Sequence, residues 1–479
     1  MLGGKQHAYL TYLGLDKATL ANDRRYNPAG EYTDAAGNKR FYDNESDNYQ
    51  QDLAQLHWSQ QWNEFWRTQI AFHYTKGKGY WENYEKGAYS WIGLPSLGND
   101  PDGEEKQAYY IHQQGLNNDF WGTTFSANYK KDNIDLLVGG ALNRYQGAHI
   151  KDLLWAEKAY TSYKNNYSYE GLNTKEEASG FAKLTYTLNS KWSLFADMQL
   201  RYVNYEAKKY KVNEALYNFN PKMGVSFNLN PNNSFYLSYA RATKEPNRSD
   251  YKDYAKELKK NALAKKPVAE KLNDFELGWR YQSDKVVLNV NGYYMGYQDQ
   301  LIPTGKLNET GYPIRENVGS SYRSGIEADA TVHLSTKWIW QPNVAFSKNI
   351  TKDYKTEKKK VITYWGDTQI SYSPSAVIGN TISFLPIKNF QASLISKYVG
   401  SQYIDNTQRE EAKLDAYFVN NLSLQYEWNP KHTFKSVLFS VIGNNILNAK
   451  YIPYGSNKYG ESYIPAAEAH YLAGITLSF

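Results

Sequence analysis

The sequence contains no cysteine. That excludes disulfide frameworks and thiolate metal sites, but it says little about compartment. No run approaches the ~18 consecutive apolar residues of a membrane-spanning helix, and mean hydropathy is only −0.73. Strong charge of one sign is also missing. The 55 Lys and Arg against 49 Asp and Glu leave +6, without the basic stripe that nucleic-acid binding requires. The nucleophile elbow, the phosphate loop and H-E-x-x-H are absent. The eight His are scattered, so no enzyme, cofactor or metal is expected. Met1-Leu-Gly-Gly-Lys-Gln6 is followed by no apolar core and is not a secretory leader.

What is abundant is aromatic: 45 Tyr and 13 Trp. The last nine residues show how these are used. Tyr471, Ala473, Ile475, Leu477 and Phe479 are apolar, while Gly474, Thr476 and Ser478 between them are small or polar, with Leu472 the exception. A strand sends alternate side chains to opposite faces, so this segment has one dry face. About ten such residues are the unit of a transmembrane β-barrel, and alternation explains why no segment scores as hydrophobic overall.

The pattern recurs. Trp192, Leu194, Ala196, Met198, Leu200 and Tyr202 alternate with Ser193, Phe195, Asp197, Gln199 and Arg201. The dry row begins on Trp and ends on Tyr, as a strand crossing between two aromatic girdles should. The charged row must then face water. Similar rows occupy Ile134–Leu142, Ala182–Leu188 and Val286–Tyr294. The fold class expected is all-β: an antiparallel transmembrane barrel, one domain over residues 1–479, with roughly 18 strands, the first near His7–Gly14.

Connections alternate in length. Short ones carry turn residues, often beside Trp: Lys130-Lys-Asp-Asn133, Asn189-Ser-Lys-Trp192, Asn230-Pro-Asn-Asn233, Ser335-Thr-Lys-Trp338 and Trp428-Asn-Pro-Lys431. Long polar ones are expected near 17–50, 77–117, 146–176, 244–271, 298–319, 350–372 and 449–468. Short periplasmic turns and long extracellular loops are the barrel arrangement. It places the C-terminus in the periplasm.

The residues also resemble the TonB-dependent outer-membrane receptors. Ser238-Tyr-Ala-Arg-Ala-Thr-Lys-Glu-Pro-Asn-Arg-Ser-Asp-Tyr251 is similar to the phrase Y-x-x-x-x-R-x-P-N-x-x-D-x-Y, with Lys244-Glu245 replacing the usual Arg region. Glu270–Trp279, Tyr293–Ile302, Glu316–Glu327 and Gly443–Tyr451 resemble further family phrases in the family's order, ending on the aromatic terminus. The resemblance covers most of the chain from about residue 45. It implies a barrel of about 22 strands with a plugged lumen, of which this chain carries about 18, without leader, plug or TonB-contacting box. The expectation is a fragment whose Met1 is not the natural start and which does not transport alone.

The resemblance further implies uptake of a ferric siderophore or similar large metal chelate. The implied partners are the TonB complex through the plug, outer-membrane lipid and lipopolysaccharide, and the assembly machinery. That machinery would read Tyr471, Ala473, Ile475, Leu477 and Phe479. A cobalamin receptor of the same family and a passive porin-like channel remain as alternatives. Ligand contact is expected from Arg24, Arg25, Tyr26, Tyr32, Arg40, Tyr42, Tyr80, Trp81, Tyr84, Tyr89 and Trp91 in extracellular loops. Arginine attracts anionic chelates and aromatic rings stack on flat ones. Haem is not expected, because no His lies between Asp250 and Glu270. Asp34, Asn38, Asp43, Asn44, Glu45 and Asp47 offer oxygen ligands but fit no calcium-loop template, so a solvated acidic loop is preferred. The runs Lys259-Lys260, Lys265-Lys266 and Lys358-Lys359-Lys360 either bridge lipopolysaccharide phosphates or keep loops soluble, the second being simpler.

Overall fold

The computed structural model describes residues 1–10, 13–92, 94–158, 168–260, 264–308, 311–358, 361–430, 434–457 and 460–478. Phe479, Lys431, Lys359, Lys360 and residues 159–167 of one expected loop lie outside them, as do the side chains of Trp91, Lys260 and Lys358.

One antiparallel sheet of 19 strands forms the molecule. Its first third runs β1 (Leu2–Tyr9), β2 (Ser46–Gln61), β3 (Trp66–Ala88), β4 (Gln107–Lys131), β5 (Ile134–Ala156), β6 (Ser168–Thr187) and β7 (Trp192–Ala207). Then follow β8 (Val212–Asn230), β9 (Asn233–Lys244), β10 (Glu270–Gln282), β11 (Val286–Leu307), β12 (Pro313–His333) and β13 (Trp338–Lys358). The last are β14 (Val361–Gln369), β15 (Ala376–Phe384), β16 (Phe390–Val399), β17 (Tyr417–Trp428), β18 (Ser436–Asn444) and β19 (His470–Ser478). Each pairs with its neighbours in chain order. One position is shared: the upper half of β13 pairs with β14 and its lower half with β15. The sheet therefore has eighteen strand positions, matching the expected count. The register moves the first strand from the expected His7–Gly14 to Leu2–Tyr9, where Leu2 faces Leu53 and Tyr9 faces Ser46. Pairing sets that boundary, which local alternation could not.

The dry row of β7 is the exposed row. Leu194, Met198 and Leu200 are 42%, 60% and 65% accessible, whereas Asp197, Gln199 and Arg201 between them are half-buried. A water-soluble sandwich would invert this, so the apolar face meets acyl chains. Girdles bound it. At the lower rim Trp192 packs on Phe227 and Trp338 on Phe384, each at 4.4 Å between rings. At the upper rim Tyr202 meets Tyr217 and Tyr239 meets Phe275, each at 4.9 Å. The ten steps from Trp192 to Tyr202 rise about 33 Å along the strand, enough for the roughly 25 Å apolar band once tilted. The lower turns are tight: Asp132 and Asn389 take positive φ of 53° and 69°, which Asn and Asp tolerate best among residues with a Cβ.

Several segments expected as loops are strand. β3 continues to Ala88 and β4 begins at Gln107, so 77–88 and 107–117 form a hairpin projecting past the girdle. Gly77 and Gly79 are required there: an added Cβ would lie 2.7 Å from the Tyr49 hydroxyl or its ring. Helix α1 (Lys17–Asn22) and helix α2 (Arg248–Lys260) sit in the first and fifth upper loops; of three two-stranded sheets, one also lies in the first loop and two in the last two upper loops.

Candidate functional site

Alternation continues above the membrane and sorts the upper residues by face. In β3 the outward row Phe72, Tyr74 carries on through Lys76, Lys78, Tyr80, Glu82 and Tyr84; the lumen row carries Trp81, Asn83 and Glu85. The first loop folds against the outward face. Tyr32 lies 4.8 Å from Tyr84, Tyr42 stacks on Tyr84 at 5.7 Å, and Tyr84 stacks on Tyr109 at 5.1 Å and on Trp155 at 6.1 Å. Beneath lie two buried carboxylates. Glu82 accepts from the Tyr42 hydroxyl, from Asn44 at 2.7 Å and from Gln113 at 2.6 Å. Glu45 accepts the Tyr84 N–H at 2.9 Å. Burial, against that bond and aided by the nearby Glu85 and Glu82 charges, pushes Glu45 up to about 7.

The other expected contact residues are dispersed. Arg24 donates to the Tyr451 carbonyl at 3.1 Å, tying the first loop to the last. Arg25 is exposed. Tyr26 accepts from Lys39 at 3.0 Å, and Arg40 pairs with Asp34 at 3.1 Å. Tyr80 is half-buried on the outward row. Trp81 meets His112 at 5.4 Å on the lumen side. Tyr89 is fully buried in an apolar cluster with Ile92, Leu94, Ala108, Tyr110 and Leu153. The structure thus joins Tyr32, Tyr42 and Tyr84 but separates them from Trp81 and Tyr89 by the thickness of the sheet. The acidic residues of the first loop also have local uses. Asp34 caps a turn by accepting the Ala36 and Asn38 N–H groups, and no metal-holding cluster of three acidic or His side chains occurs among the described residues.

The lumen face of the mouth carries charges that sequence reading did not single out. Arg201 makes a fork to Glu177 (3.0 and 2.9 Å) and another to Glu245 (2.7 and 2.9 Å), and Lys175 reaches Glu245 at 2.6 Å. Burial works against ionised Glu245, but the Arg201 and Lys175 bonds prevail and hold it down to about 2. This knot fixes the loop that leads into α2. Asp250 in the first turn of α2 accepts a two-pronged bond from Arg315 at 3.0 and 2.6 Å, and Tyr251 stacks on Tyr205 at 5.6 Å. Helix α2 is thereby clamped between β7 and β12. The segment Pro246-Asn-Arg-Ser-Asp-Tyr251 contained Asp250 and Tyr251, so half of the clamp lay in a segment with a family likeness; Arg201 and Arg315 come from distant strands and carried no local signal.

Lower on the lumen wall is a recess of about 340 Å³ lined by Glu276, Tyr293, Arg323, Glu327, Asn349 and Ser373. Arg323 donates to Asn349 and Ser373, both at 3.0 Å. The lumen is therefore polar, of mixed charge and prearranged by hydrogen bonds. It suits a wet passage or a polar body.

A family model described as "TonB dependent receptor-like, beta-barrel" matches residues 4–446. Among curated relatives, a pesticin receptor of Yersinia enterocolitica is 24% identical over 195 residues, which are 40% of this chain and 26% of that protein. The matched part thus spans about a quarter of that relative. Among solved structures, the ferric-catecholate import receptor Fiu of E. coli K12 superposes with TM-score 0.68 at 14% identity, over 100% of this chain and 71% of that one. The ferric yersiniabactin uptake receptor FyuA of Yersinia pestis gives 0.59 at 15%, over 90% and 61%. The ferric citrate transporter FecA gives 0.69 at 14%, over 98% and 65%. These likenesses establish a shared barrel fold, and the match over most of its length makes this chain a member of the TonB-dependent receptor-like β-barrel family.

Proposed function

We propose that the chain forms the wall and outer hairpins of an outer-membrane receptor that takes up a ferric siderophore or a similar large metal chelate, driven by the TonB complex. Residues 1–479 act as one barrel domain with a periplasmic C-terminus. A plug carries the energy coupling, and the assembly machinery reads the last strand through Tyr471, Ala473, Ile475, Leu477 and Phe479. No bond is made or broken by the protein itself. The observation that supports this most is the lumen mouth: Arg201, Arg315 and the α2 clamp form an ion-paired rim above a polar interior. A freely diffusing solute needs no such rim, whereas retention of a large anionic chelate does. We assign ligand contact to Trp81, on the lumen row of the β3–β4 hairpin, and to Arg25, exposed on the first loop. Tyr32, Tyr42 and Tyr84 serve by holding the hairpin upright.

The test is uptake. Cells deleted for the gene and starved of iron are supplied with radioactive iron as single ferric siderophores. Accumulation of at least one chelate should depend on the gene and stop when a protonophore collapses the proton gradient. Gene-dependent uptake that survives the protonophore would instead establish the passive-channel reading.

A further inference from the structure

The hairpin of β13 and β14 leaves the wall above Thr351. Up to that residue β13 pairs with β12, the last pair being Ser321 with Thr351. Beyond it, β13 pairs with β14 alone, and β14 pairs with no other strand among the described residues. The two sides of the hairpin differ. The β13 side is closed by β12: the Tyr354 hydroxyl donates to Glu316 at 2.8 Å, and the Lys352 Nζ lies 5.6 Å from the Tyr322 ring centre. The β14 side is open. Above the bulge beside Tyr354, four regular pairs run from Lys355 with Tyr364 to Lys358 with Val361. Along them β14 is exposed on both faces, with Val361, Ile362 and Tyr364 66%, 47% and 74% accessible. The backbone of residues 361–365 makes no hydrogen bond outside this ladder among the described residues.

A strand aims alternate N–H and C=O groups at its two edges, so the outer edge of β14 carries an unpaired row. Edges are ordinarily blunted by charged side chains or Pro. Val361-Ile-Thr-Tyr-Trp365 has neither, and all five are strand-favouring types. Such an edge is a template for one more strand of polypeptide. Val361 to Trp365 is about 13 Å along the strand, which takes about five residues of a partner. Charge selects that partner. Residues 348–369 hold six Lys against two Asp and one Glu. Asp367 holds Lys352 at 2.5 Å. Lys355 is exposed at the foot of the edge, 6.0 Å from the Tyr364 ring centre, and makes no ion pair among the described residues.

We propose that the free edge of β14, Val361–Trp365, docks an extended acidic segment of another protein, which joins the hairpin as a further strand. The proposal rests on the orientation given above for its place outside the cell. The pairing itself is independent of which solute the receptor carries.

The full chain in detergent micelles is titrated with a fluorescein-labelled peptide of six alternating Val and Thr residues with two Glu at each end, followed by anisotropy. One control peptide has Lys in place of Glu, and another is N-methylated at its six inner residues. The Glu-flanked peptide should bind about tenfold more tightly than the Lys-flanked one. N-methylation keeps side chains and charge but removes the backbone donors, and it should abolish binding. Amide exchange at residues 361–365 should slow when the peptide binds. Ile362→Asp with Tyr364→Asp should abolish binding while the heat-modifiable gel mobility of the folded barrel stays unchanged. Absence of binding, or equal binding of the N-methylated peptide, overturns strand addition. Unchanged exchange at 361–365 places any binding elsewhere and overturns the site. Equal binding of the Lys-flanked peptide overturns the acidic partner. A doubled mass by light scattering without peptide, with residues 361–365 already protected, would make a second copy of the chain the occupant and overturn the proposal as well.

Discussion

The two halves of β3 follow one alternation and meet two different worlds. From Trp66 to Tyr74 the outward row is mainly apolar, with Trp66, Phe72 and Tyr74 exposed, and the lumen row is mainly polar, with His73 bonded to Asn143 at 3.0 Å. From Tyr80 to Ala88 both faces are covered by protein: Tyr32 and Tyr42 lie over the outward side, and Tyr89 with Ile92 and Leu94 fills the inner side. The period of two is conserved while the solvent changes. A dry row therefore reports lipid only where the opposite row is wet and the girdle brackets it. Above the girdle the same residue types are ordinary packing.

The largest effect that would break this comparison is in the lumen knot. Arg201→Ala leaves Glu177 partly buried without its cation and Glu245 with Lys175 alone, a loss of about 3 kcal/mol, the lower end of the range for broken buried pairs. Hydrogen exchange should show residues 245–258 released while the lower strand halves stay protected. Next comes the lipid face. Met198→Arg should destabilise the barrel by about 2–4 kcal/mol in denaturant titrations in lipid vesicles, and Gln199→Arg, one residue away on the wet row, by under about 1 kcal/mol. Equal costs would mean that the two rows do not face different solvents.

A smaller change is expected at Glu45. Its folded pKa, about 7, stands above its ordinary 4.5. The folded loop therefore binds the proton more tightly than the unfolded one. Stabilisation by that proton is complete below about 4.5 and is lost as pH rises to about 7. Exchange protection of residues 31–45, corrected for intrinsic rate, should fall between pH 5 and pH 8, and Glu45→Gln should flatten the dependence. The smallest is Tyr251→Ala, which removes a stack with Tyr205 worth about 0.5–1.5 kcal/mol beyond its buried area and should loosen α2 without altering barrel stability.

The membrane-spanning part was legible because lipid imposes one rule on every strand. Trp192–Tyr202, Val286–Tyr294 and the turn at Lys130–Asn133 each state that rule locally, and eighteen positions followed from counting them. The upper hairpins were not legible. Lys76-Gly-Lys-Gly79 reads as a polar loop, yet it is strand, because the glycines make room for Tyr49 and the cross-strand ladder supplies what the side chains do not. For Tyr80, Trp81 and Tyr84, residue type said aromatic, but only the register said which side of the sheet each would take.

By itself, then, the chain's alternation determined a barrel wall with a dry outside and a wet inside, since the hydrocarbon layer tolerates no unsatisfied backbone and no unpaired charge. Tertiary structure alone decided where the loops came to rest. Arg201 meets Glu245, and Asp250 meets Arg315, across 44 and 65 residues of sequence. Contacts between side chains that far apart depend on which strands lie side by side, and that is fixed by the closing of ladders rather than by any local period.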